Sequence, residues 1–392
     1  GEVLDQKNHR FDIQLKGSGP TAFSRQGDGR CALGPAIREY IMSEAMYFLA
    51  VPTSRCLAVV TTGESVSRET LKPGAVVTRV ASSHIRVGTF QYFAIRNDIA
   101  SLTALLDYAI NRHYPEINIA PENKAVQFLE MVIAKQITLV VEWMRVGFIH
   151  GVMNTDNVAI SGETIDFGPC AMIGVYDPHT VYSSIDTKGR YAFGNQPNIT
   201  LWNMTRLAEC LLPLISNDEK AAIAIVEPLL MQFNQQFEHA YFKMLANKLG
   251  LTEIAPSDQI FIAELLEIMK NKRLDYTQLF TDLTQSLDDD NLAHKLKDKL
   301  GDWYDRWKVY SGDSQENMNI AKALMQTNNP VVIPRNHHVE SVLKACEETG
   351  NTQAADDFLT VLRSPYNEIT NTIHYQDVPM DDDRNYRTFC GT

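Results

Sequence analysis

Apolar and polar residues alternate along Phe11-Asp-Ile-Gln-Leu-Lys16, and this period of two predicts a half-buried strand. Two glycine-rich stretches follow, Gly17-Ser-Gly-Pro20 and Gly27-Asp-Gly-Arg30. The period then lengthens: Ile37, Ile41, Ala45 and Phe48 fall at helical spacing and predict a helix over Pro35–Leu49. β-Branched runs at Cys56–Thr61 and Ala75–Ala81 predict two more strands, with Pro73-Gly74 as a turn. From residue 101 the character changes. Ser101 is placed to cap a helix over Leu102–Arg112, and a long helical pattern runs from Glu122 to Val146 and stops at Gly147. Its most apolar stretch, Met131–His150, is interrupted by Lys135, Glu142 and Arg145, which suits a buried helix and excludes a membrane span. Val158–Ile160 and Thr164–Asp166 flank Gly162 as a small hairpin would. Beyond residue 197 the pattern is helical: Pro197–Leu212, Glu219–Val226, Pro228–Leu249, Asp258–Asn271 and Asp275–Leu287, with Pro228 read as a first-turn proline.

The order is thus a small strand-rich segment with one helix (1–100), a large helical segment (101–380) and a polar, mobile tail (381–392). This α+β order suits the two-lobed protein-kinase architecture, with a truncated N-lobe and a large helical C-lobe. The chain opens at Gly1 in mid-element and reads as a piece of a longer protein. The 36 basic and 48 acidic residues give a net charge of −12, which argues against a nucleic-acid partner. Six scattered cysteines without a CxxC pair exclude a disulfide scaffold and suggest no zinc site. No secretory signal is present, so the expected setting is cytoplasmic, without membrane attachment, and the expected state is a monomer.

Candidate chemistry starts at Asp166-Phe167-Gly168. A carboxylate after a short strand, followed by glycine, can hold Mg²⁺ beside nucleotide phosphates. Asn157 stands nine residues upstream, and two hard oxygen ligands at one place suit Mg²⁺ or Mn²⁺. The segment His150-Gly151-Val152-Met-Asn-Thr-Asp156-Asn157 follows the kinase spacing H-x-D-x-x-x-x-N, but Val152 occupies the aspartate position. Valine cannot orient a hydroxyl, so Asp156 is the nearest candidate base. Lys16 ends its strand as the phosphate-binding kinase lysine does, and Glu39 on the next helix is its candidate partner. The Gly27–Arg30 turn, with Asp28 and Gly29, offers backbone N–H groups to phosphate. Arg79 and Arg86 offer guanidinium forks to a triphosphate.

These residues, together with Ser24-Arg25-Gln-Gly-Asp28-Gly29-Arg30, Ala36-Ile-Arg38-Glu39, Arg79-Val-Ala-Ser-Ser-His-Ile-Arg86 and Gly194-Asn-Gln-Pro197, closely resemble the SelO/YdiU family of protein adenylyltransferases, a pseudokinase family. The resemblance covers essentially the whole chain. It implies an inverted ATP, with AMP passed to Ser, Thr or Tyr hydroxyls of proteins and pyrophosphate released. It implies Lys16, Asp28, Gly29, Arg79 and Arg86 as ATP ligands, Asp156 as base, and Asn157 and Asp166 as metal ligands, with Asp166 also on the nucleotide. UMP transfer from UTP with Mn²⁺, or a dead nucleotide-binding scaffold, are the alternatives. Only fifteen residues precede Lys16, and they hold none of the family's glycine-rich loop. Cys390 would match the selenocysteine of eukaryotic members, consistent with a bacterial source. Some members are restrained by a disulfide from this tail, but the matching downstream position is Tyr182, with Cys170 as a substitute.

Overall fold

The computed structural model describes all residues except 23, 25, 26, 118–122, 253, 254, 311–313, 380–382 and 390–392. The first part is an antiparallel five-stranded sheet with one long helix against it. Strands β1 (Glu2–Leu4), β2 (Arg10–Lys16) and β3 (Cys31–Ala32) precede helix α1 (Leu33–Phe48), and β4 (Arg55–Ser67) and β5 (Leu71–Ala81) follow it. β5 is the hub, pairing with β2, β3 and β4. Pro73 and Gly74 are not a turn: they lie inside β5, opposite Ser65 and Ala32, and the chain reverses at Arg68–Thr70 instead. The register of β4 slips between Thr61 and Ser65, and a Cβ at Gly74 would meet Thr62 Oγ1 at 2.7 Å and Glu64 O at 2.9 Å. Glycine at this position admits the bulge, a packing demand that reads as turn chemistry in one dimension.

The remainder is dominated by helices: α2 (Val87–Ala94), α3 (Ile99–His113), α4 (Lys124–Val146), and, after the two-residue strands β6 (Phe148–Ile149) and β7 (Ala171–Met172), α5 (Gln196–Ile215) and α6 (Glu219–Lys248). Then come α7 (Pro256–Asn271), α8 (Tyr276–Gln285), α9 (Asp290–Leu300), α10 (Asp302–Tyr310), α11 (Gln315–Asn328), α12 (Asn336–Thr349) and α13 (Gln353–Leu362). α4 is the axis of this part. It packs against α5 and α6 and buries Phe128, Val132, Leu139 and Val140, with Phe128 on Phe90 of α2 and on Tyr114, and it ends at Gly147 in the left-handed conformation. Asp98, not Ser101, caps α3, accepting from the Ser101 N–H at 3.0 Å. α6 is one helix where two were expected. Pro228 sits inside it, and both Pro228 and Ala224 are exposed, so water can satisfy the carbonyl that loses its donor. No helix of the described residues is long and apolar enough to cross a membrane.

The tail differs from the mobile segment expected. Its described part, Asp383–Phe389, lies along the body of the protein. Thr388 donates its N–H to Tyr182 O at 2.8 Å and its hydroxyl to Pro169 O at 2.6 Å, and Asn336 donates to Asp383 at 2.8 Å. Polar side chains with fixed partners order a segment that its composition alone would leave loose.

Candidate active site

Lys16 ends β2 on the face that carries Gln14, and Gln14 pairs with Arg79 of β5, so both cations project from one side of the sheet. Two carboxylates meet them. Lys16 Nζ donates to Glu39 of α1 at 2.7 Å and to Asp166 Oδ1 at 2.6 Å. Arg79 donates to Glu39 at 2.5 Å and to Asp166 Oδ1 at 3.4 Å. Burial alone would depress the Lys16 ammonium, but the Asp166 and Glu39 carboxylates outweigh it and hold its pKa above the ordinary value. Burial likewise pushes Asp166 up, and Lys16 and Arg79 reverse that and hold it well below the usual carboxylate range. Asp166 adopts a φ of 68°, a left-handed conformation costing about 1–2 kcal/mol for an L-residue. With Oδ1 committed to the two cations, Oδ2 has no protein partner among the described residues.

The loop 150–157 leads off β6, which pairs with β7 through Phe148↔Met172 and Ile149↔Ala171. Gln196 clamps this strand from α5: its Oε1 accepts from His150 N at 3.1 Å and its Nε2 donates to Phe148 O at 3.0 Å. The buried His150 ring joins the two ends of the site, with Nε2 2.9 Å from Ile165 O beside Asp166, while Nδ1 accepts from Val152 N at 3.4 Å. Burial lowers the His150 pKa, which keeps the ring neutral. The arms flanking Gly162 do not pair as a hairpin. Ala159 bridges to Arg86 and Thr164 to Thr53, so each arm is tied to an element of the first part of the chain.

Val152 is buried, and its carbonyl accepts from Asn157 Nδ2 at 3.0 Å. That bond commits the Asn157 amide nitrogen and leaves Oδ1 as its available oxygen donor. Asp156 lies in a single 3₁₀ turn, Thr155–Asn157, against the amino end of α2. A Cβ at Gly88 would fall 2.3 Å from Asp156 Oδ1, so glycine is required for the carboxylate to sit there, where the helix dipole favours negative charge. Arg86, the residue before α2, feels both Asp156 and Asp166, and burial beside Arg79 lowers its pKa. The Nε atoms of Arg79 and Arg86 are buried without a hydrogen-bond partner. Unpaired guanidinium donors at such a place are suited to an anion.

Asp28 and Gly29 are not in this cluster. A Cβ at Gly29 would meet Gly19 O at 2.2 Å, because the two glycine-rich stretches cross, with Gly19 N donating to Gly29 O at 3.0 Å. The Asp28 carboxylate accepts from Arg68 at 2.8 Å, and this bond holds its pKa down to about 2. A cleft of about 760 Å³ opens beside this pair, lined by Arg38, Arg68, Lys72, Gly168, Lys344 and Arg387 among others. Lys16 and Arg79 do not line it.

A family model described as protein adenylyltransferase SelO matches residues 1–363. The chain belongs to the SelO family. It is 52% identical to the protein nucleotidyltransferase YdiU of Teredinibacter turnerae, over the whole chain and 81% of that protein. It is 50% identical to the YdiU proteins of Pseudoalteromonas translucida and Bacillus mycoides, over the whole chain and 81% and 80% of theirs. Within this SelO chain, Gly88 and Gln196 hold the loop that carries Asp156 and Asn157, and residue spacing did not single them out. Gln196 was visible only as a letter of the Gly194–Pro197 segment, and Gly88 only as a neighbour of Arg86. Cys170 is a buried free thiol pushed up to about 12 by burial, and Tyr182 packs on Tyr386. Cys390 lies outside the described residues.

Proposed function

We propose that the chain transfers AMP from ATP to Ser, Thr or Tyr hydroxyls of proteins, at a kinase-like site that holds the nucleotide inverted. Membership in its family makes it a protein nucleotidyltransferase. The observation that carries the finer reading is the pairing of a buried hydrocarbon, Val152, with a carboxylate, Asp156, displaced to the foot of α2 beside Arg86. The acceptor oxygen attacks the α-phosphorus, its proton passes to Asp156, and the bond from the α-phosphorus to the bridging oxygen breaks, so pyrophosphate leaves with the electron pair. Lys16, Arg79 and Arg86 bind the phosphates, and the unpartnered Nε atoms are the donors available for that. Asp28 and Gly29 meet the nucleotide from the rim.

Among the described residues Asn157 Oδ1 and Asp166 Oδ2 have no protein partner, and such hard oxygen donors fit Mg²⁺ or Mn²⁺. Such an ion, when bound, supplies charge neutralisation at the phosphates. Separate incubations with ATP labelled at the α or the γ position test the reading. Label enters protein from the α position alone if it is right, and label arriving only from the γ position overturns it. UTP with Mn²⁺ in a parallel arm separates AMP from UMP transfer.

A further inference from the structure

The imidazoles of His337 and His338 open α12, and the chain returns to them at Asp377, just past a short 3₁₀ turn at Thr372–Tyr375. His338 Nε2 lies 2.5 Å from Asp377 Oδ1, and His337 Nε2 lies 3.3 Å from Oδ2. One ligand atom from each residue falls within 4.8 Å of the others. The two rings stand 4.1 Å apart between centroids, and the His374 ring is 5.5 Å from that of His338. A second observation adds to this clustering: His337 Nδ1 is buried and makes no hydrogen bond. A buried imidazole nitrogen without a partner needs a reason. Nothing in the transfer reaction uses these residues.

We propose that His337, His338 and Asp377 form a second metal site, built for a borderline cation of the Zn²⁺ class. Two imidazoles and a carboxylate are zinc donors, whereas Mg²⁺ and Mn²⁺ prefer an all-oxygen shell like that of Asn157 and Asp166. With bonds of about 2.1 Å, a tetrahedral ion spaces its ligand atoms by roughly 3.4 Å, so side-chain adjustment alone closes the site. Three protein ligands leave the fourth position to water. Asp377 is 58% exposed, which opens a path for the ion from solvent. The ion ties the turn before Asp377 to the first turn of α12. That helix also carries Glu340 and Glu347, the partners of Arg38 and the Gly34 N–H on α1, so the site supports the helix that presents Glu39.

The test uses the full chain stripped with chelator and re-equilibrated with Zn²⁺, and separately with Co²⁺, in millimolar Mg²⁺. Wild type retains one equivalent of Zn²⁺, and its Co²⁺ form shows the visible bands of a four- or five-coordinate nitrogen and oxygen shell. His338→Ala and Asp377→Ala each weaken retention at least about tenfold, while Asn157→Ala retains Zn²⁺ as wild type does. Zinc also raises the melting temperature of wild type but not of Asp377→Ala, whose exposed position protects the fold. Equal retention by wild type and Asp377→Ala, or loss through Asn157→Ala instead, overturns the site. Because the readout is metal retention, failure here is distinct from failure of the AMP-transfer reading.

Discussion

The Lys16–Asp166 and Arg68–Asp28 pairs carry the same charges in opposite surroundings. Lys16 and Asp166 have side chains 16% and 20% exposed, and Glu39 and Arg79 close a four-member network around them. Arg68 and Asp28 are 26% and 47% exposed, on a turn where glycine-rich segments cross. In the first, desolvation makes every missing partner costly, so the network fixes where Asp166 stands. In the second, solvent screens the charges, so the pair trims a loop without holding the fold. The inner network therefore sets the geometry of the site, and the Arg68–Asp28 pair lies apart from it.

The sharpest way to break this contrast is Asp166→Ala. It removes the proposed metal ligand and leaves Lys16 and Arg79 facing a single carboxylate, Glu39. Transfer of α-label should fall at least about 100-fold, and the urea midpoint should drop by the equivalent of about 3 kcal/mol. Wild-type stability in this variant would equate the inner network with the rim pair. Gly88→Ala should come next, since the new methyl would fall 2.3 Å from Asp156 Oδ1 and push it aside. A displacement near 1 Å is expected to lower kcat about 10–100-fold, with ATP affinity unchanged in a binding titration.

A pH titration sharpens the contrast further. His84, near Arg79 and Arg86, has its pKa lowered to about 4 by burial and then by those two cations. The unfolded chain takes up this proton near pH 6.5, so the stability contributed by neutral His84 is complete above pH 6.5. It is lost as pH falls towards 4. The loss is of order 1–3 kcal/mol, and His84→Gln should flatten the urea midpoint between pH 7 and 4.5. The smallest effect belongs to Arg68→Ala. It should raise the KM for ATP a few-fold through Asp28, with stability within about 0.5 kcal/mol of wild type. A large stability loss there would erase the difference between the two regions.

Residue spacing alone made much of the site legible. Lys16, Glu39, Asp166 and Asn157 sit in segments whose local chemistry depends on neighbours a few positions away, and Val152 at the kinase aspartate position pointed to Asp156 as the candidate base. The strands at Phe11–Lys16 and the α4 pattern to Gly147 were equally local, since period and a glycine stop suffice to read them. Errors arose where distant chain decides. Pro228 reads as a helix start until its exposed setting shows that water can serve the broken rung. Pro73-Gly74 reads as a turn until β4 bulges across it. The supposed hairpin at Gly162 dissolves because each arm has a better partner, Arg86 or Thr53, over 70 residues away.

What the amino-acid order determined by itself is the inventory of chemistry: which donors, acceptors and ligands exist, and on which local element each rides. Only the tertiary structure decided which of them share a dielectric. It paired Lys16 with a carboxylate 150 positions away, set Asp156 on a glycine of α2, and left Asp28 to Arg68 at the rim. The physical reason is that charge–charge energies depend on distance and burial, and neither is a function of position along the chain.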